Sequence, residues 1–246
     1  MIGSLLPGSV AWAEAFGDDP GRVPADELYA EEWAVVADAV PARQREFAVV
    51  RGCARRALAE LGLPPVPLLP GHRNAVVWPE GVVGSMTHTT GYRAAALARR
   101  ADLAGIGIDA EPDLPLPDGV LGSVARPAEL RHVAALTAAR PAVAWDRLLF
   151  SAKEAVYKTW FPLARRELDF PDAEIVFDPA DGRAGTFSAR LLVPGLPLGG
   201  GKVTRFEGRW AADGGLLVSA IALAAPGDRS APEDRSASED RSAPGA

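Results

Sequence analysis

Apolar residues recur at helical spacing through Phe47, Val50, Ala54, Leu58 and Leu61, and predict an α-helix over Pro41–Leu61. Ala94–Ala98 and Leu103–Asp109 are apolar runs of strand length on either side of Arg99–Asp102, and predict an antiparallel hairpin. A second helix is predicted over Ala142–Phe161, started by Pro141 and stopped by Pro162. Leu148, Ala152, Ala155 and Thr159 form its packing stripe, and Arg147, Ser151, Glu154 and Lys158 a separate polar stripe. Strands follow near Val203–Trp210 and Leu216–Leu223, around the turn Asp213-Gly214-Gly215.

The Pro-rich stretch Glu111–Gly119 reads as a linker between two halves of similar make, residues 1–112 and 113–226. The expected fold class is α+β (α/β sandwich-like), each half a helix packed on a small, mainly antiparallel sheet, the two related by a pseudo-two-fold. Residues 227–246 carry three near-copies of Asp-Arg-Ser-Ala, at 228, 234 and 240, with no large apolar residue. Such a segment buries too little surface to offset its ordering entropy, so a disordered tail is expected.

Composition narrows the partners. A net charge of −6 offers no basic field for nucleic acid or an anionic membrane. Cys53 is the only cysteine, which rules out an internal disulfide and disfavours a thiolate metal site. The apolar N-terminal run carries Ala11-Trp12-Ala13, but Pro7 and Glu14 interrupt it and no positive charge precedes Arg22, so a signal peptide is not expected. Leu216–Ala225 falls short of the ~20 residues a bilayer span needs. The expectation is a soluble, cytoplasmic protein.

Four clusters could carry chemistry. In Gly105–Pro112, alternation puts Asp109 and Glu111 on one strand face and Ile106 and Ile108 on the other. Gly105 and Gly107, on the carboxylate face, leave room for a ligand to approach the backbone. Two like charges on one face call for a cation, and paired oxygen ligands suit Mg²⁺; a strand end reaching solvent is the bland alternative. On the second helix Glu154 and Lys158 stand at i,i+4, as in an ordinary surface pair. Yet Lys153 and Lys158 are two of only three lysines in a chain that otherwise uses arginine, which favours a point-charge donor here. His88, in a stretch that reads as a polar turn (Gly84–Gly91), could reach a phosphate, an incidental histidine being the bland alternative. Arg43, Arg51 and Arg55 share a broad helix face that suits a polyanionic small molecule or simply solubilises the helix.

Together these pieces resemble the Sfp-type phosphopantetheinyl transferases. Gly84–Thr90 is similar to the family's Gly-Ser-x-x-His-Thr segment, Gly107–Glu111 to its Gly-Ile-Asp-x-Glu strand, and Phe150–Lys158 to its [Phe/Trp]-[Ser/Cys]-x-Lys-Glu helix. Arg43-x-x-Glu46-Phe47 followed by Arg51-Gly52-x-Ala54-Arg55 resembles its arginine helix, and the likeness runs from Ala42 to Trp210. The resemblance implies transfer of the phosphopantetheine of coenzyme A to a serine of apo acyl and peptidyl carrier proteins by a monomeric enzyme. It implies a cleft between the halves in which Asp109, Glu111 and Glu154 hold Mg²⁺, with Mn²⁺ also able to serve. Lys158 and Lys153 would neutralise phosphate charge. His88, Arg43 and Arg51 would meet the phosphates, and Arg73 the region near the adenosine. Glu154 would act as base, directly or through a metal-bound water. A metal-dependent phosphate-ester hydrolase and a carrier-binding domain without chemistry remain the alternatives.

Overall fold

The computed structural model describes residues 1–17, 27–180 and 182–227. Except for Gly227, the expected tail lies outside the described residues. The order is β1 (Ala11–Phe16), α1 (Ala30–Val36), α2 (Pro41–Glu60), β2 (Val82–Thr89), β3 (Tyr92–Arg99), β4 (Leu103–Pro112), α3 (Val120–Val124), α4 (Pro127–Ala139) and α5 (Trp145–Ala164). Then come β5 (Ala173–Pro179), β6 (Ala184–Leu191), β7 (Leu196–Leu198), β8 (Gly201–Val203), β9 (Arg205–Asp213) and β10 (Leu216–Ala224). The α+β class is as expected, with α2 on a three-stranded antiparallel sheet (β1-β3-β2) and α5 on a five-stranded one (β4-β10-β9-β6-β5).

Pro41 starts α2 where a missing N–H costs nothing. Pro162 does not stop α5: it sits in the last turn, and the helix ends at Arg165 in the left-handed region (φ 52°). The β9–β10 hairpin is where it was read, with Gly214 and Gly215 both at positive φ (58° and 79°). The β3–β4 hairpin is not. The turn at Arg99–Asp102 exists, but both edges of β3 are taken, by β1 and β2. β4 therefore leaves for the other sheet and pairs with β10, Asp109 opposite Ser219. Chain order alone cannot reveal a partner strand over a hundred residues away.

The stretch Gly84–Gly91 also departs from its reading as a turn, since most of it is β2. β2 runs beside β4, and hydroxyls replace the backbone ladder between the two sheets. Ser85 Oγ accepts from the Ile108 N–H (3.1 Å) and Thr87 Oγ1 from the Ala110 N–H (3.0 Å). Both donors are buried and would otherwise be unpaired. Ile106, Ile108, Val218 and Ala220 fill the space between the sheets, while Trp145, Trp160, Trp210 and Phe177 form the larger core under α5. The linker is pinned: Asp113 accepts from the Ala144 N–H, Asp146 from the Leu116 N–H, and Arg147 donates to the carbonyls of Leu114 and Pro115.

The glycines of β4 serve packing. A Cβ on Gly107 would fall on the Ala155 carbonyl and the Thr159 hydroxyl, and one on Gly105 would press on Leu163. The room read as ligand space is filled by α5, because a helix axis comes this near a strand only where side chains are absent. Gly107→Ala should therefore destabilise the fold by about 3 kcal/mol. Gly122→Ala, where the added methyl meets nothing, should leave the midpoint of urea denaturation unchanged or raised.

Candidate active site

Because α5 crosses the odd-numbered face of β4, its side chains meet the two strand carboxylates. Lys158 Nζ donates to Asp109 Oδ1 at 2.7 Å and to the Ile108 carbonyl at 3.2 Å. Arg147 Nη1 donates to Glu111 Oε2 at 3.1 Å. Asp109 is buried, and its Oδ2 has no hydrogen-bond partner among the described residues. Burial pushes the Glu111 carboxyl above its usual range, helped by Asp109 and opposed by Arg147. Glu154 is also pushed up by burial, with Asp109 and Glu111 adding to the effect and Lys158 opposing it. Among the described residues Glu154 has no hydrogen-bond partner, and no three of His, Cys, Asp and Glu are drawn into a ready metal cage.

Of these groups, Glu154 and Lys158 line a groove. One section is lined by Arg73, Asn74, Val76 and Met86 on one wall and by Glu154, Tyr157, Lys158 and Phe161 of α5 on the other. Asn74, Val76 and Met86 also line the next section, with Arg43, Phe47, Arg51 and His88. Past Glu154 and Tyr157, which line both, lies a pocket formed by Val156, Leu168 and Phe170 with Lys153 and Asp169. The groove thus runs from a cationic end, past Glu154 and Lys158, to a pocket of mixed lining.

His88 Nε2 lies 2.8 Å from Arg43 Nη1; arginine can only donate, so that ring nitrogen is unprotonated and accepts. Desolvation lowers the ring's pKa, and Arg43, Lys158 and Arg93 lower it further against Glu46. Arg73 bridges the groove mouth to Glu167 (2.7 Å), whose other carboxylate oxygen accepts from the Tyr157 hydroxyl at 3.1 Å.

Lys153 is a correction. It is buried, and its ammonium gives hydrogen bonds to Glu129 (2.8 Å) and to the carbonyls of Phe170 (2.7 Å) and Ala173 (2.9 Å). All three donors are used, so it cannot neutralise a phosphate. A spacing of five on a helix sets it ~140° from Lys158, toward the core. Ser151, read onto the polar stripe, is likewise buried against the Ser219 hydroxyl at 3.1 Å. Arg55 turns from the groove to Glu32, leaving Arg43 and Arg51 at the cationic end. Sequence reasoning passed over Glu32, Thr87 and Glu167, whose contacts to Arg55, Ala110 and Arg73 cross between separate segments, and Tyr157, which bonds Glu167 just past its own helix.

A family model described as "4'-phosphopantetheinyl transferase N-terminal domain" matches residues 31–98, and one described as "4'-phosphopantetheinyl transferase superfamily" matches residues 105–193. The chain belongs to the 4′-phosphopantetheinyl transferase superfamily. The transferase Svp of Streptomyces mobaraensis is 60% identical over 226 residues, covering 92% of this chain and 90% of its own length. The transferase Npt of Nocardia iowensis is 47% identical over 231 residues (91% and 100%), and PptT of Mycobacterium tuberculosis 44% over 228 (91% and 98%). The boundary between the two matched models, 98 to 105, falls at the turn where the chain of this transferase passes from one sheet to the other.

For this transferase, Lys153→Met should strand Glu129 as a buried, unpaired charge and cost about 3–5 kcal/mol of stability. The fraction that folds, measured by active-site titration, should keep its KM for coenzyme A. A raised KM at full stability would return Lys153 to the phosphate site.

Proposed function

We propose that the groove holds coenzyme A along its length, with Mg²⁺ on the pyrophosphate, and that the chain loads apo acyl and peptidyl carrier proteins. The observation that carries this reading is Asp109 Oδ2, a buried carboxylate oxygen without a partner among the described residues, next to two carboxyls whose proton affinity is raised. Lys158 and Arg147 meet one oxygen each of Asp109 and Glu111, and the buried oxygen left over is costly unless a further cation meets it. The cluster's donors are all oxygen, which fits Mg²⁺, with Mn²⁺ the nearest substitute, and Asp109, Glu111 and Glu154 are the residues that would hold it. When bound, the ion supplies charge neutralisation on the pyrophosphate.

The rest falls to the chain's own groups. Arg43 and Arg51, with His88 beside them, receive the 3′-phosphate end, and Arg73 stands on the adjoining wall. Lys158 places its ammonium at the groove centre, where phosphate oxygens gain charge as the bond to 3′,5′-ADP breaks. Glu154, which makes no hydrogen bond among the described residues, takes the proton of the carrier serine as its oxygen attacks phosphorus, directly or, where it is held on the ion, through a water molecule. The uncharged pantetheine arm would run toward the pocket at Leu168 and Phe170. The acidic net charge and single, buried Cys53 support a cytoplasmic monomer that binds no nucleic acid. No helix among the described residues is long and apolar enough to cross a membrane.

Incubating an apo carrier protein with the chain, coenzyme A and Mg²⁺ should add one phosphopantetheine by intact-protein mass spectrometry, and EDTA should abolish the gain. An undiminished gain in EDTA would remove the metal from this reading. Glu154→Gln should lower transfer by about a hundredfold or more at unchanged thermal stability. Near-native transfer by the folded variant would exclude both roles of Glu154.

A further inference from the structure

Glu32 has no part in the reading above, yet its side chain is fully buried. Its carboxylate accepts from Arg55 Nη1 at 3.0 Å on each oxygen, from the Leu68 N–H at 2.8 Å and from the Tyr29 N–H at 3.1 Å. Only the last bond is needed to cap α1. The others reach out to α2 and to the segment that runs along the cationic end of the groove.

Leu68 carries the connection onward. Its N–H is held by Glu32, and its carbonyl accepts from Arg51 Nε at 2.9 Å. Glu32 Oε1 itself lies 3.8 Å from that nitrogen. The Arg51 guanidinium is stacked over the Phe47 ring at 3.0 Å, and Nη1 makes only a long contact, 3.5 Å, to the Phe47 carbonyl. Its Nη2 makes no hydrogen bond among the described residues, and Arg51 lines the groove with Arg43 and His88. One edge and one face of the guanidinium are therefore fixed, which leaves its terminal nitrogens as the available donors. Burial pulls the Arg51 pKa down to about 10, with Glu32 opposing and Arg55 and Arg43 adding. One buried carboxylate thus serves two arginines, and this end of the groove keeps a surplus of positive charge.

We propose that Glu32 is a positioning residue for coenzyme A recognition: by fixing the Leu68 peptide and clasping Arg55, it aims the terminal nitrogens of Arg51 at the 3′-phosphate. This rests on the reading that Arg51 meets that phosphate. A simple staple between α1 and α2 would make a different prediction. Losing a staple lowers stability and the active fraction whatever the substrate, whereas losing aim shows only when the 3′-phosphate is there to be gripped.

The test compares kcat and KM for coenzyme A and for 3′-dephospho-coenzyme A in the wild type, Glu32→Gln and Arg51→Ala. Glu32→Gln should raise KM for coenzyme A by about tenfold, while kcat and the KM for the dephospho compound change by less than about twofold. An equal rise for both substrates, or a loss confined to kcat, overturns the proposal. Arg51→Ala examines the underlying reading: if it too fails to distinguish the substrates, the 3′-phosphate assignment falls and takes the proposal with it. If Arg51→Ala is selective and Glu32→Gln is not, only the role of Glu32 is overturned. Should Glu32→Gln not fold, Arg55→Lys, which keeps the charge but loses the second anchor of Nη2 on the Glu27 carbonyl, must show the same selectivity in weaker form; an unselective Arg55→Lys overturns the proposal.

Discussion

The contact between α5 and β4 sets the terms for the rest of the molecule. A helix normally stands off a sheet by the length of the intervening side chains, but at Gly107 the backbone of β4 meets the Ala155 carbonyl and the Thr159 hydroxyl directly. That approach lets Lys158 reach both the Ile108 carbonyl and Asp109, and it brings Glu154 into the electrostatic field of Asp109 and Glu111. It also buries Trp145 and Trp160 against the far strands of the same sheet. Packing and chemistry therefore share one cause, the absence of two side chains on one strand.

A second constraint holds β4 on its other side. β10 satisfies one edge through the backbone, while β2 satisfies part of the other through Ser85 and Thr87. The strand that bears the carboxylates is thereby joined to both sheets, and the arginine helix on the first sheet is set at a defined distance from the carboxylates. The groove that carries Arg43 and Arg51 at one end and Glu154 and Lys158 farther along follows from that join.

The charged residues divide by what surrounds them, and their type does not predict the division. Lys158 and Lys153 stand on one helix, yet one faces a carboxylate at the groove and the other is consumed by Glu129 and two carbonyls in the core. Arg51 and Arg55 stand one turn apart, yet only Arg51 reaches the groove. Exposed pairs such as Arg73 with Glu167 contribute little to stability, because water screens them. Buried groups such as Glu32 and Glu129 shape the fold, because each must be fully bonded or be costly.

Much of the site was legible from local order. Asp109 and Glu111 share a face because strand side chains alternate, and Glu154 and Lys158 share one because a helix turns once in ~3.6 residues. Proline at 41 and glycines at 214 and 215 mark boundaries because each narrows or widens the allowed backbone torsions. These are short-range facts, so the residue string alone determined them. What only the tertiary structure decided is pairing at long range: β4 with β10 instead of β3, Lys153 with Glu129, Glu32 with Arg55 and Leu68, and the two glycines with a helix instead of a ligand. Those outcomes depend on which edges are already occupied and which charges are already desolvated, and both are properties of the assembled fold.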